Sequence, residues 1–110
     1  MTDRVDLDAV LDSFDEPWSP RVVAELNGQL VKVAKCDGEF PWHTHQHEDE
    51  LFQVLRGRMR IELRDRAVEL APGQMFVVPR GVEHRPVAEP GTAILLFEPA
   101  STQQYGDNSD

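Results

Sequence analysis

At 110 residues, 40% hydrophobic and 28% charged, the chain has the make-up of one globular domain that needs neither disulfide nor metal merely to fold. A formal charge of −9 argues against a phosphate-backbone partner, and no run of about 18 apolar residues offers a membrane span. Cys36 is the single cysteine, which excludes an intrachain disulfide and fits a reducing, cytoplasmic setting; a small buried hydrophobe is its simplest role.

The chain opens with Asp3, Asp6, Asp8, Asp12, Asp15 and Glu16 against Arg4 alone, a start unlike a signal peptide. Leu7, Val10, Leu11 and Phe14 keep helical spacing, with Asp3 or Asp6 as cap, and Pro17 and Pro20 stop the helix. Residues 1–20 are therefore read as an acidic amphipathic helix and arm, whose apolar stripe needs a sheet or a partner subunit to cover it. From Arg21 the signals turn to strands. Arg21 to Leu26 and Leu30 to Cys36 flank Asn27-Gly28, a tight-hairpin dipeptide. Asp37-Gly38 turns, Pro41 to His45 reads as extended, and Glu50 to Leu55 forms an apolar run ended by Arg56-Gly57.

Met59, Ile61 and Leu63 alternate with charged residues, as in a half-buried strand. Ala67 to Leu70, Met75 to Val78, His84 to Ala88 and Thr92 to Phe97 complete the series, with turns at Arg64-Asp65-Arg66 and Pro72-Gly73. Around eight short strands punctuated by Gly and Pro predict an all-β sandwich or barrel over residues 21–100. Residues 101–110 are polar and aperiodic, and are expected to form a flexible tail.

The chemistry is concentrated in the histidines. His43, His45 and His47 share one segment with Glu50, and His84 follows Pro79-Arg80-Gly81. In a strand, His43-x-His45 points both rings to one face, and a nearby carboxylate with one more His makes a transition-metal site. His47 has the same parity, but the turn before Glu50 consumes residues. It is read as an exposed rim residue, with rim base or alternative ligand as the sharper reading. Phe52 and Val54 share the parity of Glu50 and should line the cavity. Phe40, Trp42, Leu51 and Leu55 should lie on the outer face. Arg58, Arg60 and Arg64 are expected there too, paired with the acidic N-terminal segment.

Gly38-x4-His43-x-His45-x4-Glu50-x6-Gly57, followed by Gly73-x5-Pro79-x-Gly81-x2-His84, resembles the two signature motifs of the cupin superfamily over residues 30–98. Ala88 stands where the pattern often has Asn, at a position that is not a ligand, and the turn before His43 is one residue short. The resemblance implies a double-stranded β-helix, or jelly-roll, barrel with a short N-terminal α-helix. It also implies a divalent Fe, Mn, Ni, Cu or Zn ion on His43, His45, Glu50 and His84, and a homodimer. Glu50 would then be a ligand that also transfers protons. The functional expectation is a metal-dependent oxygenase or isomerase acting on a small molecule in the cavity. The alternative is a non-catalytic, metal-dependent module that binds or senses a small ligand.

Overall fold

The structure, a computed structural model, describes residues 3–107. One short helix, α1 (Leu7–Leu11), precedes seven strands: β1 (Arg21–Leu26), β2 (Gln29–Glu39), β3 (Glu50–Arg56), β4 (Met59–Leu63), β5 (Ala67–Leu70), β6 (Met75–Val78) and β7 (His84–Pro99). All pairings between strands are antiparallel. The hairpin between β1 and β2 turns on Asn27 and Gly28, both at positive φ as a tight turn of this kind requires.

The two strands expected at His84 to Ala88 and Thr92 to Phe97 are one element, β7, which runs on through exposed Glu89-Pro90-Gly91 with a bend where Gly91 takes positive φ. Its first half pairs with β4 and its second half with β2 and β3. One strand thereby bends across both layers of a jelly-roll barrel. The corner depends on close approach at Gly57: a Cβ there would lie 2.5 Å from Thr92 Oγ1 and 2.7 Å from Thr92 Cα. Thr92 Oγ1 accepts from the Arg58 amide at 3.2 Å and donates to the Arg58 carbonyl at 2.9 Å or the Glu89 carbonyl at 2.7 Å, tying the corner together.

The inward positions of β2, β3, β4 and β7 form the main core, which includes Ala34, Cys36, Phe52, Val54, Ile61 and Ile94. A second cluster lies on the outer face. There α1 lays Leu7, Val10 and Leu11, with Phe14 beyond it, over Val33, Ala93 and Leu55. The helix is shorter than its stripe: Asp6 caps it through the Ala9 amide at 3.3 Å, and Ser13 closes onto the Val10 carbonyl. Arg56 ties it down through Asp8 at 2.8 Å and Asp12 at 3.3 Å.

That pairing corrects the expectation for the basic cluster. Arg60 pairs with Glu62, and Arg64 pairs with Glu83 while lying 3.8 Å over the Trp42 ring; of the N-terminal acids, Asp8 and Asp12 are held by Arg56, Asp15 by Lys35 and Glu16 by Arg21. Among the described residues no helix is long and apolar enough to cross a membrane.

The expected flexible tail is the larger correction. Residues 101–107 fold back along the segment that carries the histidines, and 108–110 lie outside the described residues. The Asp107 amide donates to the Thr44 carbonyl at 2.8 Å, and Asp107 Oδ2 accepts from the Gln46 amide at 2.7 Å. Gln104 Nε2 donates to the Trp18 carbonyl at 2.6 Å, and the Tyr105 ring stacks on Phe40 with centroids 4.8 Å apart. Gly106 packs so closely that a Cβ would sit 2.6 Å from the Thr44 carbonyl oxygen and 2.9 Å from His43 Cβ. These contacts join scattered backbone and side-chain groups, and they leave no periodic trace in the sequence.

Candidate metal centre

His43, His45, Glu50 and His84 converge, each offering one ligand-type atom within 4.8 Å of the others, and all four are buried. The scaffold differs in part from the expected strand. Pro41 to His45 forms no continuous ladder. A single reciprocal pair joins His43 and His84, each amide donating to the other's carbonyl at 3.0 Å. The Gly81 amide donates to the His45 carbonyl at 2.7 Å, which draws the loop before β7 against the same segment. Glu50 opens β3 and faces inward with Phe52 and Val54. Phe52 lines the cavity and meets the His84 ring edge-on at 6.0 Å, whereas Val54 belongs to the packed core. His47 is exposed on the turn, away from the four buried ligands.

Two of the rings are fixed by backbone. His43 Nδ1 lies 2.9 Å from the Pro41 carbonyl and His84 Nδ1 lies 3.0 Å from the Val82 carbonyl. A carbonyl only accepts, so each Nδ1 carries the proton and each Nε2 keeps its lone pair for a ligand. His45 Nε2 and His84 Nε2 approach Glu50 Oε1 at 3.3 and 3.5 Å. All three atoms are buried without a hydrogen-bond partner. Orphaned polar atoms are costly in a protein interior, and a cation at their meeting point would satisfy them together. Three imidazole nitrogens and one carboxylate suit a divalent first-row transition metal and leave room for a further ligand.

The titration of these groups follows from their surroundings. Burial, reinforced by His84, pushes His43 down to about 4, so it is neutral and ready to coordinate near pH 7. Burial would also lower His45, but hydrogen bonding and charge from Glu50, with Glu48 and Asp107 adding to it, outweigh burial and raise it. Burial would raise Glu50; the facing His45 and His84 rings, with Glu98 beside them, overcome this and hold it well below the usual carboxylate range.

Glu98 is a partner that the sequence reading passed over. It is 2% exposed and faces inward from the end of β7. Burial and the neighbouring Glu50 carboxylate push it up to about 8, against the pull of Lys32 Nζ at 2.9 Å. Its signal was present in the sequence, since it shares the parity of Ile94 and Leu96.

A small cavity of about 30 Å³ reaches His43 and Glu50. One wall comes from β2, β3 and β7 through Ala34, Cys36, Phe52, Ile94 and Leu96. The other comes from irregular segments through Trp18, Pro20, Phe40, His43 and Gln104. Phe40 was expected outside. Because β2 ends at Glu39, alternation does not carry to Phe40, whose buried ring packs on Trp18 at 4.8 Å and on His43 at 5.3 Å. Trp42 does stay outside, beneath Arg64 and Arg85. Burial raises the Cys36 thiol, so it is a neutral lining group. No lysine or arginine lines this cavity among the described residues.

Comparison with known proteins agrees with this fold. The profile of the family described as Cupin domain matches residues 29–97. A crystal structure of a cupin-2 domain containing protein from Shewanella frigidimarina is 41% identical, with a TM-score of 0.85, covering 86% of this chain and 93% of that one. Protein NMB1881 from Neisseria meningitidis is 29% identical, with a TM-score of 0.80, covering 89% of this chain and all of its counterpart. The uncharacterized protein YdbB of Bacillus subtilis is 31% identical over 99 residues, 89% of this chain and 88% of that one.

Proposed function

This chain belongs to the cupin domain family, and on that footing we propose that it is a metal-dependent oxygenase acting on a small, largely apolar molecule bound in the barrel cavity. The observation that carries the proposal is the meeting of buried, partnerless His45 Nε2, His84 Nε2 and Glu50 Oε1, with Glu50 and His43 lining an adjoining aromatic cavity. A bound Fe, Mn, Ni, Cu or Zn ion would supply Lewis acidity, and the redox-active members would add oxygen chemistry.

The chain's own residues supply the rest. Trp18, Phe40 and Phe52 present ring surface to a substrate and exclude water, which suits a phenol or diketone better than a sugar phosphate. Isomerisation of a polyol would need several hydroxyl-binding groups, and apart from His43 and Glu50 the lining is mostly apolar, with Gln104 its one amide side chain among the described residues. Glu50 is held ionised and can accept a proton from a substrate hydroxyl or enol at its carboxylate. Glu98, buried beside it, favours its ionised form.

The protein loaded with Fe(II) should consume oxygen when offered catechols or simple β-diketones, and form product. Absence of turnover across such a panel, with ligand-induced thermal shifts retained, would favour the sensing reading over the oxygenase. Cytoplasmic placement and a homodimer belong to the same proposal. The edge strand β1, with Val22 and Leu26 exposed, is the seam offered for a dimer, and light scattering on the purified chain tests it.

A further inference from the structure

His45 differs from the other two histidines in what stands behind its ring. His43 and His84 each have the carbonyl of the residue two positions earlier on Nδ1. For His45 that carbonyl belongs to His43, and it is already taken by the His84 amide at 3.0 Å. His45 Nδ1 is buried and has no partner of that kind. With Nε2 directed at Glu50, a neutral ring that coordinates through Nε2 keeps its proton on Nδ1, and that proton needs an acceptor.

Two carboxylates are in reach. His45, Glu48 and Asp107 each offer a ligand-type atom within 4.8 Å of the others. Glu48 sits between exposed His47 and Asp49, yet is only 8% exposed itself. Its Oε2 is anchored by the Ser101 hydroxyl at 2.7 Å, and its Oε1 is buried with no partner. A carboxylate turned inward from a solvent-facing turn costs desolvation unless something inside receives it. Asp107 is brought to the same place by the folded-back C-terminal segment. Two buried atoms of complementary chemistry, His45 Nδ1 and Glu48 Oε1, are thus left without partners within one three-residue cluster.

We propose that Glu48, supported by Asp107, is the positioning residue that accepts the Nδ1 proton of His45, making this ring a stronger metal donor than the two backed by backbone carbonyls. The inference rests on the metal-centre reading and extends it to the turn and the C-terminal segment, which complete the site. Carboxylates behind a ligating imidazole orient the ring and raise its basicity, and their loss typically costs ~10–100-fold in metal affinity.

The test uses the full-length chain with Zn(II) as probe, comparing wild type with Glu48→Gln, Glu48→Ala and Asp107→Asn. Wild type should bind one equivalent. Glu48→Ala should weaken binding by ~10–100-fold, Glu48→Gln by less, and Asp107→Asn least. In the zinc-loaded protein the imidazole N–H proton resonance of His45 should move upfield in Glu48→Gln while those of His43 and His84 stay in place. A purely structural role for Glu48 would not produce that selective shift. An unchanged His45 resonance and unchanged affinity in both Glu48 variants would overturn the proposal. So would a second equivalent of zinc in wild type that vanishes in Glu48→Gln, because the cluster would then be a cation site in its own right. A wild-type chain that binds no zinc would defeat the metal-centre reading itself.

Discussion

The two walls of the cavity reach similar burial by different physics. The wall built from β2, β3 and β7 is held by continuous ladders, so each inward side chain is placed by alternation. The wall built from Trp18 to Pro20, Phe40 to Glu48 and 101–107 has no continuous ladder. A few specific bonds hold it, among them Trp18 N–H to the Lys35 carbonyl at 2.8 Å and Asp107 N–H to the Thr44 carbonyl at 2.8 Å. Two ligands come from each side, Glu50 and His84 from strands, His43 and His45 from the irregular segment. Position is thus over-determined on one side of the metal centre and adjustable on the other, which is where substrate entry and ligand tuning belong.

The largest expected effect comes from removing a ligand. His84→Ala and His45→Ala should each reduce metal content after loading to background, as should Glu50→Ala, measured by elemental analysis. The walls should then separate in stability. His84 is fully buried in the strand wall, so its truncation should also cost about 2–4 kcal/mol through the cavity left behind, whereas His45→Ala should cost less. Equal metal content in wild type and all three variants would sink the assignment.

Glycine substitutions probe the same contrast without touching a ligand. Gly57→Ala puts a methyl against Thr92 backbone at positive φ, and should destabilise the whole barrel by about 2–4 kcal/mol in urea unfolding. Gly106→Ala meets an equally close neighbour, the Thr44 carbonyl, but can relieve the clash by releasing 101–107. Global stability should fall by roughly 1 kcal/mol or less, while amide exchange speeds up at Gln46 and Asp107. Comparable global losses for the two variants would show that the walls are not mechanically distinct.

The difference between the walls also marks what could be read from sequence. The ligands were legible because His-x-His, Glu50 and His84 occur at spacings that a barrel can bring together, and the ladder positions of Phe52 and Val54 followed from parity. Even there Glu98 was passed over, although alternation put it inside. Phe40 went wrong where the strand stops and period two no longer applies. Trp18, Glu48 and the docked 101–107 segment were not legible, since isolated contacts between distant, aperiodic positions fix them, several of them to backbone carbonyls and amides that every sequence has.

On the irregular wall, pH gives a further handle in metal-free protein held in chelator. His43 has its folded pKa depressed from 6.5 to about 4, so the stability tied to its neutral ring is present above pH 6.5 and is lost as pH falls through 4. The loss is at most roughly 3 kcal/mol at 1.36 kcal/mol per pKa unit. Unfolding free energies measured between pH 7 and 4 should show this limb in wild type and a smaller one in His43→Gln. An identical limb in both proteins would assign it elsewhere.

The strand wall should respond in the opposite sense, through Glu98. Its folded pKa is raised from 4.5 to about 8, so the native state keeps a proton that the unfolded chain has lost between those values. Stability from this group is therefore complete below pH 4.5 and declines as pH rises through 8. Glu98→Gln keeps the shape, an N–H toward Glu50 and an oxygen toward Lys32, but has no proton to lose. At pH 6 the variant should unfold within about 1 kcal/mol of wild type, because an amide closely mimics the protonated acid. Toward pH 9 the metal-free variant should become the more stable of the two as the wild-type pair is forced to carry two buried charges. A strong penalty at pH 6, or parallel curves up to pH 9, would mean that Glu98 is ionised at neutral pH and that Lys32, rather than Glu50, governs it.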